Sequence, residues 1–249
     1  MRPVVGADGC PAGWLAVTMP PGAPGAAQAR IVGTAAELPA LGAPVAIDIP
    51  IGLMDAPGDG PRPPDTAARR YLSERNADKV AGVASRVFLA PTRAHLAAFL
   101  RDPDWGRFRR AFAKGSGISV QAFNICRRIA ELDVLCRQQP GADIFEVHPE
   151  VSFARLARHT LPPKARAAGR AARAAALAEV GFDLDRLVAG LGPKGRTATG
   201  GRRPRWNADD LLDACIAAWS ADRIARGVHA GLPNLTDRDS LGLPRVIHC

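Results

Sequence analysis

No two of the five cysteines, Cys10, Cys126, Cys136, Cys215 and Cys249, form a CxxC pair. That excludes a zinc knuckle, and their odd number and wide spacing exclude a disulfide framework. Nowhere does an uncharged apolar run approach the roughly 18 residues of a membrane span, and the N-terminus lacks the basic, apolar and small-residue order of a signal peptide. The expectation is a cytoplasmic protein with reduced, mostly structural thiols. A G-x-x-x-x-G-K-[ST] phosphate loop is missing, since Gly6, Gly9 and Gly13 have neither its spacing nor its lysine. A nucleophile elbow for Ser-His-Asp hydrolysis is missing too, as are internal repeats and heptads. Lysine is scarce: only four of the 33 basic residues, Lys79, Lys114, Lys164 and Lys194.

What remains is a globular composition. With 249 residues, 47% of them hydrophobic, the chain can bury a sizeable core as one large domain or as a core with an insertion. The formal charge is +9, and positive charge invites contact with phosphate. Its distribution is uneven: residues 151–206 hold twelve Arg or Lys against three acids, Glu179, Asp183 and Asp185. This surplus reads either as a patch facing a polyanion or as a solvated basic helix face.

The stretch "VVGADGCPAGW" (residues 4–14) is an apolar run that stops on Asp8. An unpaired carboxylate at the end of a buried strand costs several kcal/mol, so it needs a partner or a purpose. Asp-Gly also makes a turn, and the stretch alone leaves both readings open. Further strand-like runs follow at 14–19 and 28–33, separated by Pro and Gly, and the three read as an antiparallel meander. After a short helix in "TAAELPAL", the run "PVAIDIP" (44–50) ends on Asp48, and "DIFEVHP" (143–149) carries Glu146. Strands reached through helices pair parallel to earlier ones by right-handed crossovers, which would gather Asp8, Asp48 and Glu146 at one sheet edge. Open α/β sheets place their sites at that edge. Carboxylates so close repel and raise each other's pKa unless a cation neutralises them, and Mg²⁺ or Mn²⁺ prefers such oxygen ligands.

Near the end, "NADDLLDACIAAWSADRIARG" (207–227) reads as a helix capped by Asn207 and stopped by Gly227. Asp210 and Asp213, three residues apart, share one face. Acids in these first turns either complement the helix dipole or reach the sheet edge, and Asp209 is assigned to the dipole.

This arrangement resembles the ribonuclease H-like superfamily, and "DDLLDA" is most similar to the final helix of Holliday-junction resolvases. The motifs "GADGCPAGW", "AIDIPIGL", "SRVFLAPTR", "SVQAFNI", "EVHPEVSF" and the spaced "K...GR..R" of residues 164–173 together resemble the family catalogued as domain of unknown function 429, described as predicted nucleases. The resemblance implies an α/β fold: one ribonuclease H-like domain over 1–249, with a mixed five-stranded sheet in the order 3-2-1-4-5, the second strand antiparallel, and a mainly helical insertion at 53–142. It also implies a hydrolase using two metal ions about 3.5–4 Å apart to cut phosphodiester bonds of DNA or RNA. Asp8 would bridge, Asp48 would hold one ion with it, and Asp210 and Asp213 would complete the shell. Glu146 would either join them as a catalytic acid or bond structurally to an arginine or a helix end, and Glu37 in the short helix is not assigned. Two departures stand out: Arg86 follows Ser85 where the family has a serine pair, and "RPPDTAARRYL" keeps Asp65 and Arg69 without the family's cysteine.

Within the insertion, Arg86 and Arg93 on a proline-bounded loop, and Gln121 and Asn124 after a helix start at Ser119, are candidate substrate contacts. Gln121 and Asn124 could equally tie the insertion to the core. Lys164 and Arg173 of the spaced basic motif join the substrate set, whereas Arg127 and Arg128 are expected to face solvent. His148 is a ligand, a general base or a hydrogen-bonded structural residue. The stretch "GPKGRTATGGRRPRW" (192–206) reads as a mobile basic loop over the acidic edge. The competing function classes are an actin-like or sugar-kinase-like ATPase and a non-catalytic nucleic-acid-binding protein on a nuclease-like scaffold.

Overall fold

The computed structural model describes residues 2–112, 115–192 and 205–249. At its centre is a mixed sheet of five strands in the order β3-β2-β1-β4-β5. These are β1 (Val4–Cys10), β2 (Gly13–Met19), β3 (Gln28–Val32), β4 (Val45–Ile47) and β5 (Ile144–Glu146). β4 and β5 continue parallel to β1, while β2 is antiparallel to both its neighbours. The fold is the expected α/β sheet.

Among the described residues nine α-helices surround it. α1 (Leu38–Leu41) leads from β3 to β4. Between β4 and β5 lie α2 (Pro63–Glu74), α3 (Arg93–Arg101), α4 (Trp105–Ala111) and α5 (Val120–Gln138), and after β5 come α6 (Pro149–Ala157), α7 (Ala167–Glu179), α8 (Leu184–Leu191) and α9 (Ala208–Ala225). None of the described helices is long and apolar enough to cross a membrane. A hairpin of β6 (Gly231–Arg238) and β7 (Pro244–His248), absent from the sequence reading, closes the chain and bridges to the end of β5 through Val147 and His248. Pro233 and Pro244 lie within its strands and weaken their signal.

Strand alternation sorts the side chains into two cores. Val4 and Cys10 of β1, Leu15 and Val17 of β2 and Ala46 of β4 pack with α9, whereas Val5, Ala7, Trp14, Val45 and Ile47 pack with α5 on the other face. Because side chains alternate with period two, Asp8 and Asp48 belong to the α9 face. Gly6 on that face lets helix and strand touch: a Cβ there would lie 2.0 Å from the Ala218 amide nitrogen and 2.3 Å from the Ala214 carbonyl oxygen. Both neighbours are backbone, so they cannot rotate away. Gly6→Ala is therefore expected to cost about 3 kcal/mol, or roughly 10 °C in Tm for a chain of this size. Thermal unfolding of the variant checks it, and an unchanged Tm would mean that α9 does not seat on β1.

Candidate functional site

Asp8, near the end of β1, and Asp48, just past β4, are brought side by side by parallel pairing, in which the Asp48 amide donates to the Ala7 carbonyl at 3.2 Å. α9, seated on Gly6, delivers Asp213 to them. Both strand acids are partly exposed, while Asp213 is 3% exposed. Burial raises the Asp8 carboxyl well above the carboxylate range, and Asp48, Asp213 and Asp210 push it further. Burial and then Asp213 lift Asp48 to about 8. Asp213 is raised by burial against the pull of Lys164. These carboxylates repel one another across a small space.

Asp210 stands at the rim with a second duty. Its Oδ2 accepts the Asn207 amide at 2.8 Å, closing a capping box at the start of α9. Asp209, assigned to the helix dipole, lies in the first turn of α9 as expected.

Among the described residues Lys164 forms an ion pair with the cluster. Lys164 Nζ lies 2.7 Å from Asp213 Oδ2, and the lysine side chain is 44% exposed, so the ammonium can swing out to solvent. Burial would lower its pKa, but Asp213, Asp48 and Asp8 raise it. The loop that carries it is pinned from several sides. Arg173 Nη1 donates to the Pro162 and Gly169 carbonyls, both at 2.8 Å, and Arg86 Nη1 donates to the Leu161 carbonyl at 2.7 Å. Gly169 lets α7 approach so closely that a Cβ would lie 2.1 Å from the Pro163 oxygen. The same two arginines grip Glu150 from opposite sides. Burial alone would raise Glu150, but Arg173 and Arg86 hold it below its ordinary value.

The structure thus gives two expected substrate contacts a structural role. Arg173 is 1% exposed, and it and Arg86 are engaged by Glu150 and by carbonyls as the scaffold of Lys164. Sequence reasoning missed Glu150, although it lies in the quoted "EVHPEVSF" and a buried arginine requires an acid. Arg93 has one likewise: Asp133 at 2.9 Å and Asp239 bind its guanidinium, tying α3 to α5 and the hairpin. Arg128 does not face solvent but donates to the Gly13 carbonyl at 2.8 Å and to Cys10. Gln121 and Asn124 are exposed on α5, so neither ties the insertion to the core.

Glu146 does not join the aspartates. It pairs with Ile47 in the parallel register, which places it on the α5 face, opposite Asp8 and Asp48. There Arg62, 3% exposed, donates to it through both Nη atoms, the Nη1 bond being 2.8 Å, and the Ile51 amide donates at 2.7 Å. Burial lifts Glu146 to about 7, partly offset by Arg62. Arg62 also bonds Asp65 and the Ile51 and Gly52 carbonyls. This arginine escaped the sequence reading; its signal is the Arg-Pro-Pro-Asp start of α2, which sets the pair three residues apart. Glu37 is an exposed local cap, accepting the Gly33 and Thr34 amides at 3.0 and 2.9 Å.

His148 precedes α6 beside the site. Burial lowers its pKa to about 4, so it is neutral at pH 7, and its Nδ1 is buried with no hydrogen-bond partner among the described residues. Of the expected basic loop at 192–206, residues 193–204 lie outside the described residues.

The donor chemistry fits a hard divalent cation: three mutually repelling carboxylates, a fourth at the rim and the displaceable ammonium of Lys164. Among the described residues no group of three or more His, Cys, Asp or Glu side chains is already arranged to hold an ion, so occupancy would require the carboxylates to draw closer together and Lys164 to release Asp213.

Comparison with known proteins finds no match among curated proteins and none among solved structures. One family model matches, over residues 6–238, a span that takes in Asp8, Asp48, Lys164 and Asp213, and the chain therefore belongs to the family described as "Protein of unknown function (DUF429)".

Proposed function

We propose that this protein is a metal-dependent nuclease that hydrolyses phosphodiester bonds of DNA or RNA. The observation that carries the reading is the convergence of Asp8, Asp48 and Asp213, from two parallel strands and a distant helix, with Lys164 the cation bonded to them among the described residues. The strand order 3-2-1-4-5 supports the ribonuclease H-like assignment. Asp8, Asp48 and Asp213, with Asp210 at the rim, would hold Mg²⁺ or Mn²⁺. When bound, a pair of such ions supplies Lewis acidity and an activated water for in-line displacement at phosphorus. Lys164, released from Asp213, would meet the negative charge of the phosphodiester, and the excess of basic residues would draw a polyanion to the surface. The five cysteines are free and buried, which suits a reducing, cytoplasmic setting.

Incubation with end-labelled single-stranded, double-stranded, hybrid and branched substrates tests this. Cutting of at least one of them in Mn²⁺ or Mg²⁺, abolished by EDTA, is the expected result. Metal binding without cutting of any substrate would leave a binding protein on a nuclease-like scaffold.

A further inference from the structure

Three stretches that the aspartate cluster does not use converge on one cavity of about 380 Å³: Arg69 of α2, the 85–89 loop with Arg86, Phe88 and Leu89, and the start of α5 with Ser119 and Gln121. No acid lines it. Arg69 Nε donates to the Val87 carbonyl at 2.7 Å, which fixes the guanidinium, while its two Nη atoms make no hydrogen bond or ion pair among the described residues. Nη2 of Arg86 is buried and has no partner among them either. Ser119 caps α5, its hydroxyl oxygen accepting the Ala122 amide at 3.1 Å. The Val120 and Gln121 amides precede Phe123, whose amide donates to the Ser119 carbonyl at the start of this 19-residue helix, so they face outward at its positive end.

The cavity has a second, apolar character. Phe88 is half-buried, and Leu89 is 39% exposed on its wall. Its volume is at the small end of the roughly 300–1,000 Å³ typical of small-ligand sites and exceeds what a bare inorganic anion fills. A planar guanidinium with free terminal nitrogens, helix amides and a hydroxyl together match a tetrahedral anion with several acceptor oxygens. The aromatic and aliphatic wall matches a ring attached to it.

We infer that this cavity binds the phosphate of a nucleotide unit, held between Arg69 and the start of α5, with the sugar and base along Phe88 and Leu89. The ligand is a free mononucleotide or the phosphorylated end of a strand. The cavity is linked to the loop of Lys164 through Arg86, whose Nη1 bonds both Glu150 and the Leu161 carbonyl. The inference rests on the nuclease reading only where a strand end bound here is the strand presented to the aspartates; phosphate binding itself requires no cleavage.

Binding in EDTA separates the two. Affinities are measured for adenosine monophosphate against adenosine, and for a 5′- or 3′-phosphorylated oligonucleotide against its unphosphorylated twin. Phosphate is expected to tighten binding about tenfold or more in at least one pair. The pair that responds identifies the source, free nucleotide or strand end. Ser119→Asp retains a good N-cap while placing a negative charge where the anion sits, and Arg69→Gln removes the free guanidinium. Both should abolish the phosphate preference with helical circular dichroism unchanged. No phosphate preference in either pair, or a preference that survives both substitutions, would overturn the inference, and neither result bears on metal-dependent cutting.

Discussion

Asp8→Asn is expected to lower metal-dependent cleavage on the order of a thousandfold, about 4 kcal/mol of barrier, and at the same time to stabilise the metal-free fold. The two effects share one cause. Asn keeps the shape of the side chain but removes a charge that burial, Asp48, Asp213 and Asp210 all oppose. The pH dependence follows from the direction of the shifts. Asp8, Asp48 and Asp213 are raised in the folded state, so the folded protein holds protons that the unfolded chain releases near pH 4. Stability of the metal-free wild type should fall as pH climbs from about 4 towards 8, the value for Asp48. Asp8→Asn should flatten that decline. Metal should act oppositely: at a hundred times its dissociation constant it would stabilise the wild type by about 2.7 kcal/mol at pH 8, and the variant far less. Thermal unfolding in EDTA and in Mn²⁺ across pH 5–8 reads both. A variant less stable than wild type in EDTA at pH 8, or equally stabilised by Mn²⁺, would refute a charged ion-holding cluster.

Arg62→Ala should give the largest loss of stability without touching the aspartates. Among the described residues Arg62 is the sole cation bonded to Glu146, and Asp65 shares it. Breaking a buried pair by removing one partner costs about 3–5 kcal/mol, because the remaining carboxylate stays desolvated. For a domain of this size the Tm falls by roughly 10 °C. The loss should depend on pH. Glu146, already raised to about 7 with its arginine present, rises further without it, so protonation relieves the variant as pH drops from 8 to 5. A deficit under about 1 kcal/mol at pH 8, no better than an exposed pair, or one indifferent to pH would show that Arg62 does not hold the insertion to β5.

Much of the sheet was legible in order along the chain. The apolar runs beginning at Val4, at 14–19 and at 28–33 became β1, β2 and β3, because short apolar runs and the Pro-Gly breaks between them are local properties. β4 and β5 were legible as apolar runs with an acid near the end, and their parallel pairing followed from the long connections between them. Asp210 and Asp213 were legible as one helix face. The β6–β7 hairpin was not, since its prolines and register shift erase the alternation that marks a strand.

The sequence by itself determined which residue types end the buried strands, and so that acids lie at the sheet edge. Only tertiary structure decided which face each acid joins and which arginines are free. A single step of register puts Glu146 against Arg62 rather than beside Asp48. The pairing of Glu150 with Arg86 and Arg173, across 64 and 23 positions of chain, turns two expected substrate contacts into supports for Lys164. Periodicity is a property of neighbouring residues and is written in their order. Register and the partner of a buried charge depend on segments distant in the chain, and are set by whichever packing leaves no buried charge unpaired.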